Sequence, residues 1–357
     1  MLPILICALL SAAPVGQIAF VAGGAPADQA VSVIDIESGS ITRLGPGTAD
    51  GAPRWSPDGR RIAFDTRSEV GRSIYVVNAD GTAPRYLPHA ARMNCDPAWS
   101  PDGERLAYAV GRGLGRRIAV FDFATDRETV WGGEHTGLMR PRWVGHSLVQ
   151  ALLSPEDRDA AGIVRLFGST DTELVGLVAA GLVTEPGGTS TDLFLATPDM
   201  TIPFPEDVLP SKGSYAEWNP APAHAQHALA FESDDGGDRE LFVYSRRGVI
   251  DLTNHRAADW NPVWSPDDKW LAFESFRGGS PGIYRVHRDT ARVYPVSVTP
   301  NAANWSPSWS PDGEWIVFVT DRTGVPRLFI ANTNSEEVVP LTHGDDSARA
   351  PAWRPRR

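Results

Sequence analysis

The run Pro307-Ser308-Trp309-Ser310-Pro311-Asp312-Gly313 constrains this chain more than any other feature, because the sequence keeps repeating it. Near-copies stand at Pro53–Gly59, Pro97–Gly103 and Pro262–Asp268. Weaker echoes stand at Pro141–Trp143, Glu217–Pro220 and Pro351–Pro355. Tryptophans mark the period: 44 residues from Trp55 to Trp99, 44 to Trp143, then 46 from Trp218 to Trp264, 45 to Trp309 and 44 to Trp353. A fixed period in the forties signals a repeat architecture.

Each copy reads as the same local structure. A short apolar strand ends in Trp-Ser; Pro, Asp and Gly then supply the preset φ, the local hydrogen bonds and the positive φ of a tight turn. An alternating run follows, as in Arg61–Phe64, Arg105–Tyr108, Trp270–Phe273 and Trp315–Phe318. A third run comes next, as in Ile74–Val77 and Ile283–Val286, and then a weaker fourth, as in Val249–Leu252. Four short strands per period is the blade of a β-propeller, so the expected class is all-β. At the front, Gln17–Phe20 and Val31–Ile36 look like second and third strands without a first. Pro351–Pro355 is a first strand with nothing after it. The two halves complete one blade and close the ring, leaving only short protected edges.

Second-strand signals at Ile18, Ile62, Leu106, Leu148, Leu182, Leu229, Leu271 and Ile316 give eight blades, matched by third-strand signals that include Val164 and Leu193. The 75 residues from Trp143 to Trp218 carry no tryptophan, so seven blades with an insertion is the alternative. Thr184–Ser214, crowded with Gly and Pro, reads either as a degenerate blade or as an excursion over one face.

Composition narrows the partners. A net charge of −11 argues against binding a phosphate backbone, so no nucleic acid is expected. Two cysteines, Cys7 and Cys95, give neither a disulfide framework nor a zinc site. Met1–Gly16 is apolar but too short to cross a bilayer, so the chain is not expected to span a membrane. It resembles the apolar core of a secretory signal, although no Lys or Arg precedes it. The expectation is a signal over residues 1–16, one propeller domain over 17–357, and a periplasmic or secreted location; without a signal the location would be cytoplasmic.

Repeats of the form Pro-x-Trp-Ser-Pro-Asp-Gly-x-x-Ile-Ala-Phe followed by Ile-Tyr-Val resemble the WD40-like (PD40) repeats of the TolB-type propeller family. The resemblance covers residues 17–357 and implies a propeller whose relatives are mostly binding modules of the bacterial cell envelope. It departs from TolB in having only about sixteen residues where that family carries an α/β domain. A similar propeller precedes the hydrolase domain of prolyl oligopeptidase-type peptidases, for which no room remains after Arg357.

The turn carboxylates Asp58, Asp102, Asp267 and Asp312 read as turn formers. Trp55, Trp99, Trp264, Trp309 and Trp353 read as packing between blades. More informative is the position four before each such tryptophan, which varies: Gly51, Cys95, Met139, Trp260, Trp305 and Arg349. Trp260 and Trp305, with Asp259, Asn261 and Asn304 beside them, suit peptide recognition, and together with Arg349 they form the expected binding face. Arginines after the second strand, Arg67, Arg277 and Arg322, read as loop-tying ion pairs. His224 and His227 fall on a predicted strand edge, which would place them on opposite faces. The acidic loops Ser233–Asp238 and His343–Asp346 lack the form of a calcium loop. No catalytic residue, metal or cofactor is expected, and no nucleophile elbow. The reading is a non-enzymatic propeller that binds a protein or peptide; the alternative is a lyase or hydrolase with its site at the central channel.

Overall fold

The computed structural model describes residues 13–356, apart from 26–27, 50, 69–70, 89–92, 134–136, 146–175, 186–187, 205–216, 226, 236 and 246. Among the described residues the strands form seven four-stranded antiparallel sheets, arranged as the blades of a propeller. The first strands of blades two to seven are Arg54–Trp55, Asn94–Trp99, Met139–Val144, Glu217–Pro222, Asp259–Trp264 and Asn304–Trp309. Blade one is shared by the two ends. Its first strand, Ala348–Trp353, pairs with Gln17–Ala22, setting Ile18 opposite Trp353 and Ala22 opposite Ala348. This is the closure read from the sequence.

Seven blades correct the preferred count of eight. Met139–Val144 pairs directly with Gly176–Glu185, with Val144 opposite Gly176. Gly176–Glu185 in turn pairs with Gly188–Ala196, and that strand with Thr201–Pro203. The signals at Leu182 and Leu193 therefore belong to one long hairpin of blade four. Residues 145–175 fall between the first and second strands of that blade. Leu148 and Val164, the signals of the supposed extra blade, lie outside the described residues. So do the rest of the Thr184–Ser214 stretch beyond Phe204 and the body of the expected signal, residues 1–12.

The register of blade five also differs from the sequence reading. Trp218 pairs with Glu232 just as Trp260 pairs with Glu274, so Trp218 is the counterpart of Trp260, not of Trp264. Pro222 occupies the inner-strand tryptophan position of blade five.

That tryptophan position does two jobs. The ring fills the gap between adjacent sheets, and the indole N–H donates across it to a main-chain carbonyl of the preceding blade. Trp55 donates to Ala352 O at 2.9 Å, Trp99 to Arg54 O at 3.0 Å and Trp143 to Ala98 O at 2.9 Å. Trp264 donates to Ala221 O at 2.8 Å and Trp309 to Val263 O at 3.0 Å. The Ser-Pro-Asp-Gly turn then locks itself. Ser56 Oγ donates to Asp58 Oδ1 at 2.6 Å, and the same oxygen accepts Arg60 N–H at 3.0 Å. Burial opposes ionisation of Asp58, Asp102 and Asp267, but these serine and backbone donors outweigh it and hold the carboxyls below their usual range.

Trp309→Phe keeps the ring and removes the donor, leaving Val263 O without its partner. The expected loss is about 1–3 kcal/mol in urea unfolding, against about 3–5 kcal/mol for Trp309→Ala. No loss in Trp309→Phe, with the full loss kept for Trp309→Ala, would show that the cross-blade bond contributes nothing.

Candidate functional site

The inner strands surround a central cavity of about 450 Å³. Its wall is built by a repeated bulge. Before the proline of each inner strand the ladder register shifts, between Cys95 and Ala98, Trp218 and Ala221, Trp260 and Val263, and Trp305 and Ser308. Proline cannot donate to a ladder, and the residue before it takes up the kink. That residue has a positive φ in six blades: Asp96 at 57°, Arg140 at 52°, Asn219 at 47°, Asn261 at 54°, Ser306 at 54° and Ala350 at 52°. All six line the cavity. Left-handed backbone in ordinary residues costs energy unless the surroundings hold it.

In blades five to seven the holding groups are visible. Buried Glu232 accepts Asn261 N–H at 2.7 Å, and buried Glu274 accepts Ser306 N–H at 2.9 Å, each carboxylate reaching the bulge of the next blade. Asn261 Nδ2 donates to Glu274 Oε1 at 2.7 Å, Trp260 Nε1 donates to Glu274 Oε2 at 2.8 Å, and Asn219 Nδ2 donates to Glu232. Burial raises the pKa of both glutamates, and these donors offset part of the rise. The sequence carried a signal for them that went unread: the second strands of blades five and six both end Ala-Phe-Glu-Ser.

Blades two to four furnish charge instead. Arg54, Arg140 and Arg142 line the cavity together with one carboxylate, Asp96. Arg54 is open to channel water yet walled in by protein. That enclosure lowers its pKa, as does Arg140, while Asp96 and Asp65 oppose the shift. Enclosure, then Arg54 and Arg140, bring Arg142 down to about 9, against the pull of Asp96. At about 9, Arg142 still carries its charge at neutral pH.

The expected binding residues fall into three groups. Trp260 and Trp305 are half-buried at one mouth of the channel. Trp260 packs 5.1 Å from the ring of Phe276, which is 48% exposed. Trp218, missed in the sequence, holds the same position on blade five, with the Arg239 guanidinium 4.3 Å over its ring. Three neighbouring blades therefore present an indole. Asn261 lies in the channel wall, and half-buried Arg349 bonds Gln29. Asp259 and Asn304 are fully buried and belong to the scaffold: Asp259 pairs with Arg277, and Asn304 accepts from Arg322 at 2.9 Å.

Other expectations resolve as follows. His224 and His227 sit in the turn after the first strand of blade five, not on a strand edge. Both face Asp268, with ring nitrogens 2.9 and 3.8 Å from its carboxylate. Asp268 stands where other copies have Gly, and its two oxygens also accept the N–H groups of His224 and Ala225, tying blade six to blade five. One Gly-x-Ser-x-Gly match does occur, Gly278–Gly282. It lies in the hairpin between Trp270–Ser275 and Gly282–His287, not at the strand-to-helix elbow that the motif requires. Among the described residues no three His, Cys, Asp or Glu side chains come together as a metal site, and no helix is long and apolar enough to cross a membrane.

Residues 13–150 match the family model described as the TolB beta propeller domain, PD40, which bears out the resemblance carried by the repeats. The class is therefore a seven-bladed propeller, similar over residues 13–150 to the TolB propeller domain. No curated protein matches the chain in sequence. The structure resembles TolB from Acinetobacter baumannii with a TM-score of 0.59 at 18% identity, covering 96% of this chain and 67% of that one. It resembles the β-propeller domain of the trilobed protease from Pyrococcus furiosus with a TM-score of 0.63 at 14% identity, covering 92% of each. The acylaminoacyl peptidase of Pyrococcus horikoshii gives a TM-score of 0.61 at 12% identity; 93% of this chain spans 51% of that one. At these identities the likeness is one of fold.

Buried Glu240 opens the third strand of blade five, accepting from Thr253 Oγ1 at 2.5 Å and His255 N at 2.8 Å. Burial pushes its pKa from 4.5 up to about 7, and the nearby Asp259 adds to the rise. Its folded pKa is the higher one, so its contribution to stability is full below pH 4.5 and is lost as pH rises through about 7. Glu240→Gln should flatten the fall of melting temperature across that window. An unchanged slope would rule this out.

Proposed function

We propose that this chain is a non-enzymatic propeller that binds a protein or peptide across the channel mouth bearing Trp218, Trp260 and Trp305. The observation that carries this reading is the repetition of a half-buried indole on three consecutive blades, with exposed Phe276 beside them. Indoles contribute most to binding where a polar edge is already satisfied and an apolar face is free. Trp260 fits that description, since its N–H is taken up by Glu274. The titratable groups lining the cavity favour binding as well. Arg54, Arg140, Arg142 and Asp96 suit holding charge better than exchanging protons, and the one lining imidazole, His224, is already engaged by Asp268, which weighs against a lyase or hydrolase site there. A peptidase propeller is a relative in fold, and the chain spans about half of the acylaminoacyl peptidase it resembles. Export to the cell envelope is part of the proposal and rests on the apolar run Met1–Gly16.

The test begins with cross-linking the purified protein to an envelope extract of its host and identifying the species retained. Affinity is then measured for the purified partner. Trp218→Ala, Trp260→Ala and Trp305→Ala together should weaken binding by about a hundredfold or more, about 2.7 kcal/mol or above, with the blades still folded by circular dichroism. An unchanged dissociation constant would sink the reading.

A further inference from the structure

We propose that the central channel is an anion site, in which Arg54, Arg140 and Arg142 hold a ligand carrying two or more carboxylates. This inference rests on the channel itself and stands whether or not the indoles at the mouth take a partner.

Elsewhere in the molecule, interior arginines are committed to the fold. Arg277 pairs with Asp259 and lies over Phe273 and Tyr284. Arg322 donates to Thr320, Ser297 and Asn304. Arg61 donates to Gly103 O and stacks over Trp99. The three channel arginines differ. Arg54, Arg140 and Arg142 make no ion pair among the described residues, and Arg142 bonds only the carbonyl of Pro141, at 2.8 Å. The one lining carboxylate, Asp96, accepts from Cys95.

Three guanidiniums against one carboxylate leave the channel cationic inside a chain whose net charge is −11. They lie within Coulombic reach of one another, so each raises the free energy of the others, and an entering anion relieves that repulsion. Low-dielectric walls focus the positive potential along the opening and concentrate anions there.

Size and shape agree. A cavity of about 450 Å³ falls in the range that encloses small ligands. Arginine forks fit the planar carboxylate in bidentate fashion. Arg54 comes from blade two and Arg140 and Arg142 from blade four, with Asp96 of blade three between them. A ligand with separated carboxylates is the one that can engage both blades at once. Such groups could belong to a free polycarboxylate or to an acidic stretch of polypeptide, and the two probes below tell these sources apart.

The experiment titrates the full chain by calorimetry with citrate, with the tripeptide Glu-Glu-Glu and with inorganic phosphate. The expected result is saturable binding of citrate, of the tripeptide or of both, tighter than phosphate, with the tighter of the two naming the source. Arg54→Gln with Arg142→Gln should weaken that binding at least tenfold while the melting temperature without ligand holds or rises. Arg54→Lys with Arg142→Lys should retain part of it, because charge survives and the fork does not. Trp218→Ala, Trp260→Ala and Trp305→Ala should leave it unchanged, which separates this site from the proposed partner surface. The proposal is overturned if neither carboxylate probe binds at millimolar concentration, if the arginine variants bind as tightly as the native chain, or if phosphate binds as well as the carboxylates.

Discussion

A single hydrogen bond, from an indole N–H on one blade to a main-chain carbonyl on the blade before it, governs how this ring holds together. In repeat structures each unit contacts only its neighbours, so stability is close to a sum over joints. Five of the seven joints carry the indole bond, at 2.8–3.0 Å. Between blades four and five it is missing, because Pro222 has no donor to offer. Apolar packing takes over there, with Val144, Leu195 and Phe204 against Leu229, Phe231 and Phe242. Between blades seven and one the indole of Trp353 has no partner, and its main-chain N–H donates to Ser308 Oγ at 3.1 Å instead. The second of these joints is the one beside the closure between the ends of the chain, where strand pairing supplies the hold that the indole does not.

The same strand that carries the joint also frees the channel wall from structural duty. Proline interrupts the ladder two residues before the tryptophan, and the kinked residue ahead of it turns its side chain to the channel. Packing then places little demand on that side chain, which is Asp, Arg, Asn, Asn, Ser and Ala in successive blades. Where the wall is neutral, buried Glu232 and Glu274 hold the kinks from the neighbouring second strands. Scaffold and specificity are thus separated by only a few residues in every repeat.

That separation explains what the sequence could and could not disclose. Ring closure, strand order and the turn role of Asp58 and its counterparts were legible, because they follow from local chemistry repeated at a fixed period. Blade four was not, since residues 145–175 part its first strand from its second and break the period. Trp218 was misplaced for a chemical reason: Trp218-Asn219-Pro220 imitates Trp264-Ser265-Pro266, although one stands at the mouth and the other at the joint. His224 and His227 were assigned to a strand where the chain in fact turns. The channel arginines gave no linear signal at all, as Arg54 and Arg142 lie 88 positions apart and converge only because the ring closes.

Seen around the axis, the two kinds of chemistry occupy opposite arcs. Blades two to four carry Arg54, Asp96, Arg140 and Arg142, whereas blades five to seven carry Trp218, Trp260 and Trp305. On the aromatic arc the carboxylates are inside the scaffold, where Glu232 and Glu274 satisfy backbone and indole donors and offer nothing to solvent. On the cationic arc the buried acid of blade two, Asp65, pairs with Arg72, and among the described residues none forms an ion pair with the arginines of the wall. Under the two proposals, an occupant reaching from the mouth into the channel would meet indole on one side and guanidinium on the other, so a ligand with an apolar flank and an acidic one would use both. A wholly apolar segment would leave the guanidiniums without counter-charge in a confined space, and a wholly acidic one would waste the indole faces. With both proposed sites occupied, the ring would select by arc as well as by surface, which a symmetric repeat could not do without the departures at Arg54, Arg140, Arg142 and Trp218.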